Sequence, residues 1–230
     1  MTEPEVDVPE APASLGQVLL DAVAVMDRLR SPGGCPWDAE QDHRSLAPYL
    51  IEEAYETIQA IEDNDLDALR DELGDVLLQV LFHARIAAEL PPEQRWTIDD
   101  VAAGLVAKMT RRHPHVFGDT QVSGSDDVSR NWEQIKAAER GGVSPVANVP
   151  MGLPALTLAA KLQRKGGEEP VPGSAVVDAA QRFSAQPTDV AAAELLWLAV
   201  SAIRANGIDP EAVLRARGRA YRDEALGADS

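Results

Sequence analysis

Two apolar-periodic stretches separated by four polar residues constrain this chain more than any other feature. From Leu46 to about Ile61, and again from Leu66 to Glu89, apolar residues return at helical spacing. The second stretch carries Leu69, Leu73, Val76, Leu77, Val80, Leu81 and Ala84 on one stripe. Pro48 falls in the first turn of the earlier stretch, where its missing N–H costs little, and Pro91-Pro92 closes the later one. Glu62-Asp-Asn-Asp65 is so short a turn that the two helices must pack antiparallel. A hairpin of about 45 residues cannot bury its apolar faces alone, so partner helices are needed.

The flanks supply them. Leu15, Val18, Leu19, Ala22, Val25, Met26 and Leu29 follow Ser14, a good N-cap, and predict a helix over 15–30 that the Ser31-Pro-Gly-Gly-Cys-Pro36 run stops. Thr97-Ile-Asp-Asp100 reads as a capping box opening a helix to about Arg112, and Val128 to Arg140 forms another. Residues 141–154 hold three prolines and three glycines and read as a linker. Beyond it, helices are expected at 155–165, 175–184, 188–206 and 210–225, the last with Asp209 as cap and Pro210 at its first position. No strand is required, although 116–117 and 143–149 are ambiguous. The expected fold is all-α: a disordered tail over 1–13, a helical domain over 14–140, the linker, and a helical region over 155–230.

The hairpin carries an unusual set of acids. Glu53 and Glu56 stand at i, i+3 and so about 60° apart on one face, and Glu72 and Asp75 repeat the spacing on the next helix. Gly74 between the latter two is expected to leave room for a neighbouring helix or a ligand. Antiparallel packing can set the two pairs opposite each other, where four like charges repel unless cations neutralise them. An oxygen-only set suits Mg²⁺ or Mn²⁺ rather than zinc. The commoner fate of Glu at such spacing is a solvated helix face. Ala54, Tyr55, Ile58, Leu73, Val76 and Leu77 place these acids beside the apolar stripe instead.

A formal charge of −17 over 230 residues argues against nucleic acid as a partner, because such affinity rests on Lys and Arg displacing counterions. It is compatible with a small polyphosphate reached through divalent cations. Cys35 is the chain's lone cysteine, so no intramolecular disulfide forms and a reducing cytoplasm fits. No stretch approaches the roughly 18 apolar residues of a membrane span, and the acidic, Pro-rich N-terminus lacks a signal-peptide pattern.

Motifs from Asp27-Arg-Leu-Arg30 through Gly34-Cys-Pro-Trp-Asp38, Glu40-Gln41, Leu50-Ile-Glu-Glu-Ala-Tyr-Glu56, Glu72-Leu-Gly-Asp-Val-Leu-Leu-Gln-Val80 and Lys108-x-x-Arg-Arg-His-Pro-His-Val-Phe117 to Trp132-Glu-Gln-Ile-Lys136 run in consistent order. Residues 15–140 thereby resemble the MazG family of all-α nucleoside triphosphate pyrophosphohydrolases. The resemblance implies Mg²⁺ ligation by Glu53, Glu56, Glu72 and Asp75, with Glu52 assisting or, like Glu53, a candidate general base. It implies that Lys108, Arg112 and Lys136 contact the triphosphate and Trp132 lies against the nucleotide; Arg111 is a weaker candidate and Trp37 a base-stacking or core aromatic. It further implies hydrolysis of nucleoside triphosphates to monophosphate and pyrophosphate as nucleotide-pool house-cleaning, by a homodimer or higher homo-oligomer.

The residues themselves keep rival readings open. Lys108, Arg111 and Arg112 form one cationic face, yet basic residues in a helix's last turn also complement its dipole. His113-Pro-His115 reads as a helix-terminating loop rather than a metal pair, and His83 as a core histidine. Residues from Met151-Gly-Leu-Pro-Ala155 resemble the start of a second, degenerate copy lacking E-E-x-x-E and E-x-x-D, which leaves a nucleotide-sensing regulatory protein as an alternative. A di-iron bundle needs two Glu-x-x-His motifs, and only Glu40-x-x-His43 exists.

Overall fold

The computed structural model describes residues 16–227; the expected tail and the Ser14 cap lie outside them. The chain is all-α, with no strand among the described residues. It divides into two compact units, to and from the Trp132/Glu133 boundary, ahead of the 141–154 segment and inside a helix.

In the first unit, α1 (Gln17–Arg30) starts behind Gly16, whose φ of 95° is left-handed, and α2 (Pro36–Glu40) is a short turn of helix begun by Pro36. The sequence marks Pro36 only as part of a stop, but a proline in the first turn of a helix starts one equally well. Between them the chain doubles back so tightly that a Cβ on Gly34 would sit 2.2 Å from the Leu29 carbonyl oxygen. The hairpin is α3 (Ala47–Asp63) and α4 (Leu66–Ala87). Asn64 takes the left-handed conformation at φ 55°, and the Asp65 carboxylate accepts from the Asp67 and Ala68 N–H groups, so both halves of the turn are locally satisfied. α5 (Ile98–Arg112) opens on the expected box, with the Thr97 N–H donating to Asp100 Oδ2 at 2.8 Å. His113-Pro-His115, expected as a loop, instead leads into a one-turn helix, α6 (Pro114–Phe117), again on a proline, and the ambiguous Val116 and Phe117 belong to it.

Met26, Leu46, Leu81, Phe82 and Ile86 form the core where α1 crosses α4, with Ala22, Val23, Leu29 and Ile98 packed around them. Each such side chain contributes roughly 1.5–3 kcal/mol on burial. Arg30 joins the same junction. Its guanidinium meets both oxygens of Glu89 (2.9 and 2.7 Å), donates to the carbonyls of Asp38 and Gln41, and lies 5.6 Å from the Phe82 ring centroid.

α7 (Ser125–Glu139) carries the boundary. The second unit continues with α8 (Ala155–Gly166), α9 (Gly173–Ala185), α10 (Asp189–Ala205) and α11 (Pro210–Gly227). α10 packs on α8 and α9, and α8 on α11. The fully buried Gln163 carboxamide ties α8 to α10: its nitrogen donates to the Trp197 carbonyl and its oxygen accepts from Arg204, both at 2.8 Å. Asp209 caps α11, its Oδ1 accepting from the N–H groups of Glu211 and Ala212.

Candidate active site

The turn at Asn64 sets the register of the acids. Glu56 and Glu72 each stand eight residues from it, and Glu53 and Asp75 each eleven. At 1.5 Å rise per residue on both helices, each pair sits level across the hairpin. Accordingly one carboxylate oxygen from each of Glu53, Glu56 and Glu72 lies within 4.8 Å of the others. Asp75 stands outside this trio but within electrostatic reach of it.

The charges respond as their register requires. Glu53 is held above the usual carboxylate range by partial desolvation, then by the charge of Asp75 across the hairpin and by Glu56, to which it also hydrogen-bonds; Glu52 adds a smaller push. Glu72 is raised by desolvation, then by Glu56 opposite it, Asp75 and Asp71. Oxygen ligands of one octahedral Mg²⁺ stand roughly 3–4 Å apart, given Mg–O distances of about 2.1 Å. Three carboxylates within 4.8 Å, free of thiolate or imidazole among the described residues, therefore fit a hard divalent cation after small side-chain rotations.

Gly74 does not serve the close approach expected of it: a Cβ there would meet nothing within 4 Å. It lies beside Leu77 and Leu78 on the groove α4 makes with α1, whereas Glu72 and Asp75 face α3.

The cationic face of α5 is present at its C-terminal end. Lys108 makes no ion pair among the described residues, and Arg112 lies 5.9 Å from the ring centroid of Trp132, against whose edge His113 also packs at 4.8 Å. Arg111 is exposed. Trp37 is half exposed, with its ring edge-on to Tyr49 and Phe82. Lys136 falls in the second unit and pairs with Glu133 at 3.1 Å, as does Lys165; the two cations hold the Glu133 carboxyl below its usual range.

Histidine reading from sequence missed one relationship. His83, expected as a core residue, is half-buried, and its Nδ1 lies 2.8 Å from Nδ1 of His43, whose ring is nearly parallel to those of both His83 and Trp96. Forty residues separate the pair, so no local spacing signals it. His43 is thereby taken up away from the acids, which leaves the Glu40-x-x-His43 motif no role in a metal bundle.

The MazG nucleotide pyrophosphohydrolase domain model matches residues 41–117, a span holding all four acids and the α5 cations. The chain belongs to the MazG family. An uncharacterised 26.1 kDa protein of Streptomyces cacaoi is 44% identical over 218 residues, 93% of this chain and 84% of that one, so its likeness extends through the second unit. YabN of Bacillus subtilis is 52% identical over 143 residues, 61% of this chain and 29% of its own. The nucleoside triphosphate pyrophosphohydrolase/pyrophosphatase MazG of Thermotoga maritima is 45% identical over 155 residues, 66% of this chain and 58% of its own. Against those last two the chain thus spans less than two thirds of its relatives' length. The match leaves Trp37, Trp132 and Lys136 outside the domain model.

Proposed function

We propose that this chain hydrolyses nucleoside triphosphates to monophosphate and pyrophosphate, with Mg²⁺, or Mn²⁺ in its place, held by Glu53, Glu56, Glu72 and Asp75. The convergence of three carboxylates across the α3–α4 hairpin carries the reading, since such a cluster is costly without a cation. The Thermotoga relative's name supports the reaction. When bound, the cation would lower the pKa of a water and offset phosphate charge. The water oxygen attacks the α-phosphorus as its bond to the bridging oxygen breaks, and pyrophosphate leaves. Glu52 and Glu53 are the two candidates to accept the water's proton. Lys108 and Arg112 neutralise the leaving group, Arg111 lies at the edge of this set, and Trp132 or Trp37 offers a face to the base.

The active form we propose is a homodimer or higher homo-oligomer, in the cytoplasm, serving nucleotide-pool house-cleaning. An apolar cleft of about 390 Å³ between α1 and α4, lined by Val18, Val25, Leu77 and Leu78, and the exposed Ile51 and Leu73 supply a face for a second copy. No single helix among the described residues is long and apolar enough to cross a membrane. Pyrophosphate release from a panel of nucleoside triphosphates with Mg²⁺ tests the assignment. Glu72→Ala and Asp75→Ala should each abolish it, and undiminished turnover in either overturns the ligand set. Because the second unit lacks the acidic motifs, a nucleotide sensor is the rival reading; thermal stabilisation by nucleotides with no pyrophosphate released would favour it.

A further inference from the structure

The second unit holds a cleft that the proposed chemistry does not use. It measures about 390 Å³ and is walled by one face of α8, the C-terminal end of α10 and the turn into α11. Thr157, Lys161 and Arg164 line it from α8 at i, i+4 and i+7, so all three point the same way. Arg204 faces them from α10.

Three cations on one small cleft are unexpected in a chain of net charge −17. Neither Lys161 nor Arg164 has a carboxylate partner among the described residues. Arg204 is fixed rather than neutralised: its Nη1 donates to the buried Gln163 oxygen, an uncharged acceptor, which leaves its charge uncompensated and its position set. The one carboxylate on the rim, Asp209, has Oδ1 committed to capping α11. Converging cations repel one another as converging acids do, and an anion in the cleft relieves that repulsion. The lining suits a phosphate group. Lys161 offers a point charge, the two guanidiniums planar donor forks and Thr157 a hydroxyl.

We infer that the cleft lined by Thr157, Lys161, Arg164 and Arg204 binds the phosphate or polyphosphate group of a small molecule, at a site separate from the carboxylate cluster. It requires no metal and no catalysis, and so stands whether or not the chain hydrolyses nucleotides.

Calorimetric titration of the full chain with inorganic pyrophosphate, in EDTA so that metal-dependent binding at the acids is silent, tests it. Wild type is expected to bind. Lys161→Ala/Arg164→Ala is expected to weaken binding roughly tenfold or more, since two charge-assisted contacts are removed. Its unliganded melting temperature should match wild type, both positions being surface-facing. Arg217→Ala/Arg222→Ala, exposed cations of the same unit outside the cleft, should bind as wild type does. A parallel titration with a nucleoside triphosphate in EDTA distinguishes the sources: comparable affinity means that the phosphates alone are read, tighter binding that a nucleotide is the ligand, each still dependent on Lys161 and Arg164. Absence of binding by wild type, equal affinity in the Lys161/Arg164 variant, or an equal loss in the Arg217/Arg222 variant would overturn the inference.

Discussion

Replacing Arg30 with Ala should destabilise the first unit by about 3 kcal/mol. The side chain is only 4% exposed, and its removal strips two bonds from Glu89 and orphans the carbonyls of Asp38 and Gln41. Breaking a buried ion pair typically costs about 3–5 kcal/mol. The lower end applies because Glu89 is 38% exposed and keeps Arg85 at 2.9 Å, so its charge is not stranded. Arg30→Lys should lose about half as much, as an ammonium keeps the charge but cannot bridge the carboxylate and both carbonyls. Urea unfolding in a Trp197→Phe background reads the first unit through Trp37, Trp96 and Trp132. A loss for Arg30→Ala below about 1 kcal/mol, the range of an exposed pair, would refute the reasoning.

Further outcomes follow from the same contacts. Glu89 is held below its ordinary range by the Arg30 hydrogen bond first and by the charges of Arg30 and Arg85. Its stabilising contribution is thus present above the unfolded carboxylate pKa of about 4.3 and lost as pH falls through the lower folded value; Glu89→Gln should flatten the acid limb of a stability–pH curve. Glu53 and Glu72, raised in the metal-free chain, lower its stability as pH climbs through their folded pKa values, and Mg²⁺ should expel their protons, measurable as acid release in weakly buffered solution just above the ordinary carboxylate pKa of about 4.3. Gly74→Ala should raise the melting midpoint of the free chain, worth about 0.5–1 kcal/mol, while Gly34→Ala should lower it sharply because its Cβ would strike backbone.

Much of the hairpin was legible before any coordinates. Apolar period and a four-residue turn define α3 and α4, and their limits shift by no more than two residues. The pairing of Glu56 with Glu72 and of Glu53 with Asp75 was also available in the numbering, as equal distances from Asn64, once that residue is recognised as the pivot. Other features needed three dimensions. Which side of α4 Gly74 occupies depends on where α1 crosses, and a proline can stop one helix or start the next, as Pro36 and Pro114 do. Lys136 and Trp132 share a helix yet fall on different sides of the unit boundary, a division that helical periodicity does not register.

The contact between His43 and His83 has a spectroscopic consequence. When both rings are neutral, a 2.8 Å approach of two Nδ1 atoms allows only one of them to carry the hydrogen. One imidazole must then be the Nδ1–H tautomer, the less common form of a free neutral histidine, and the other the Nε2–H tautomer. Two residues of identical chemistry should therefore give opposite ¹⁵N shift patterns in a long-range ¹H–¹⁵N spectrum, so one such spectrum of the neutral rings reports whether the loop before α3 is fastened to α4.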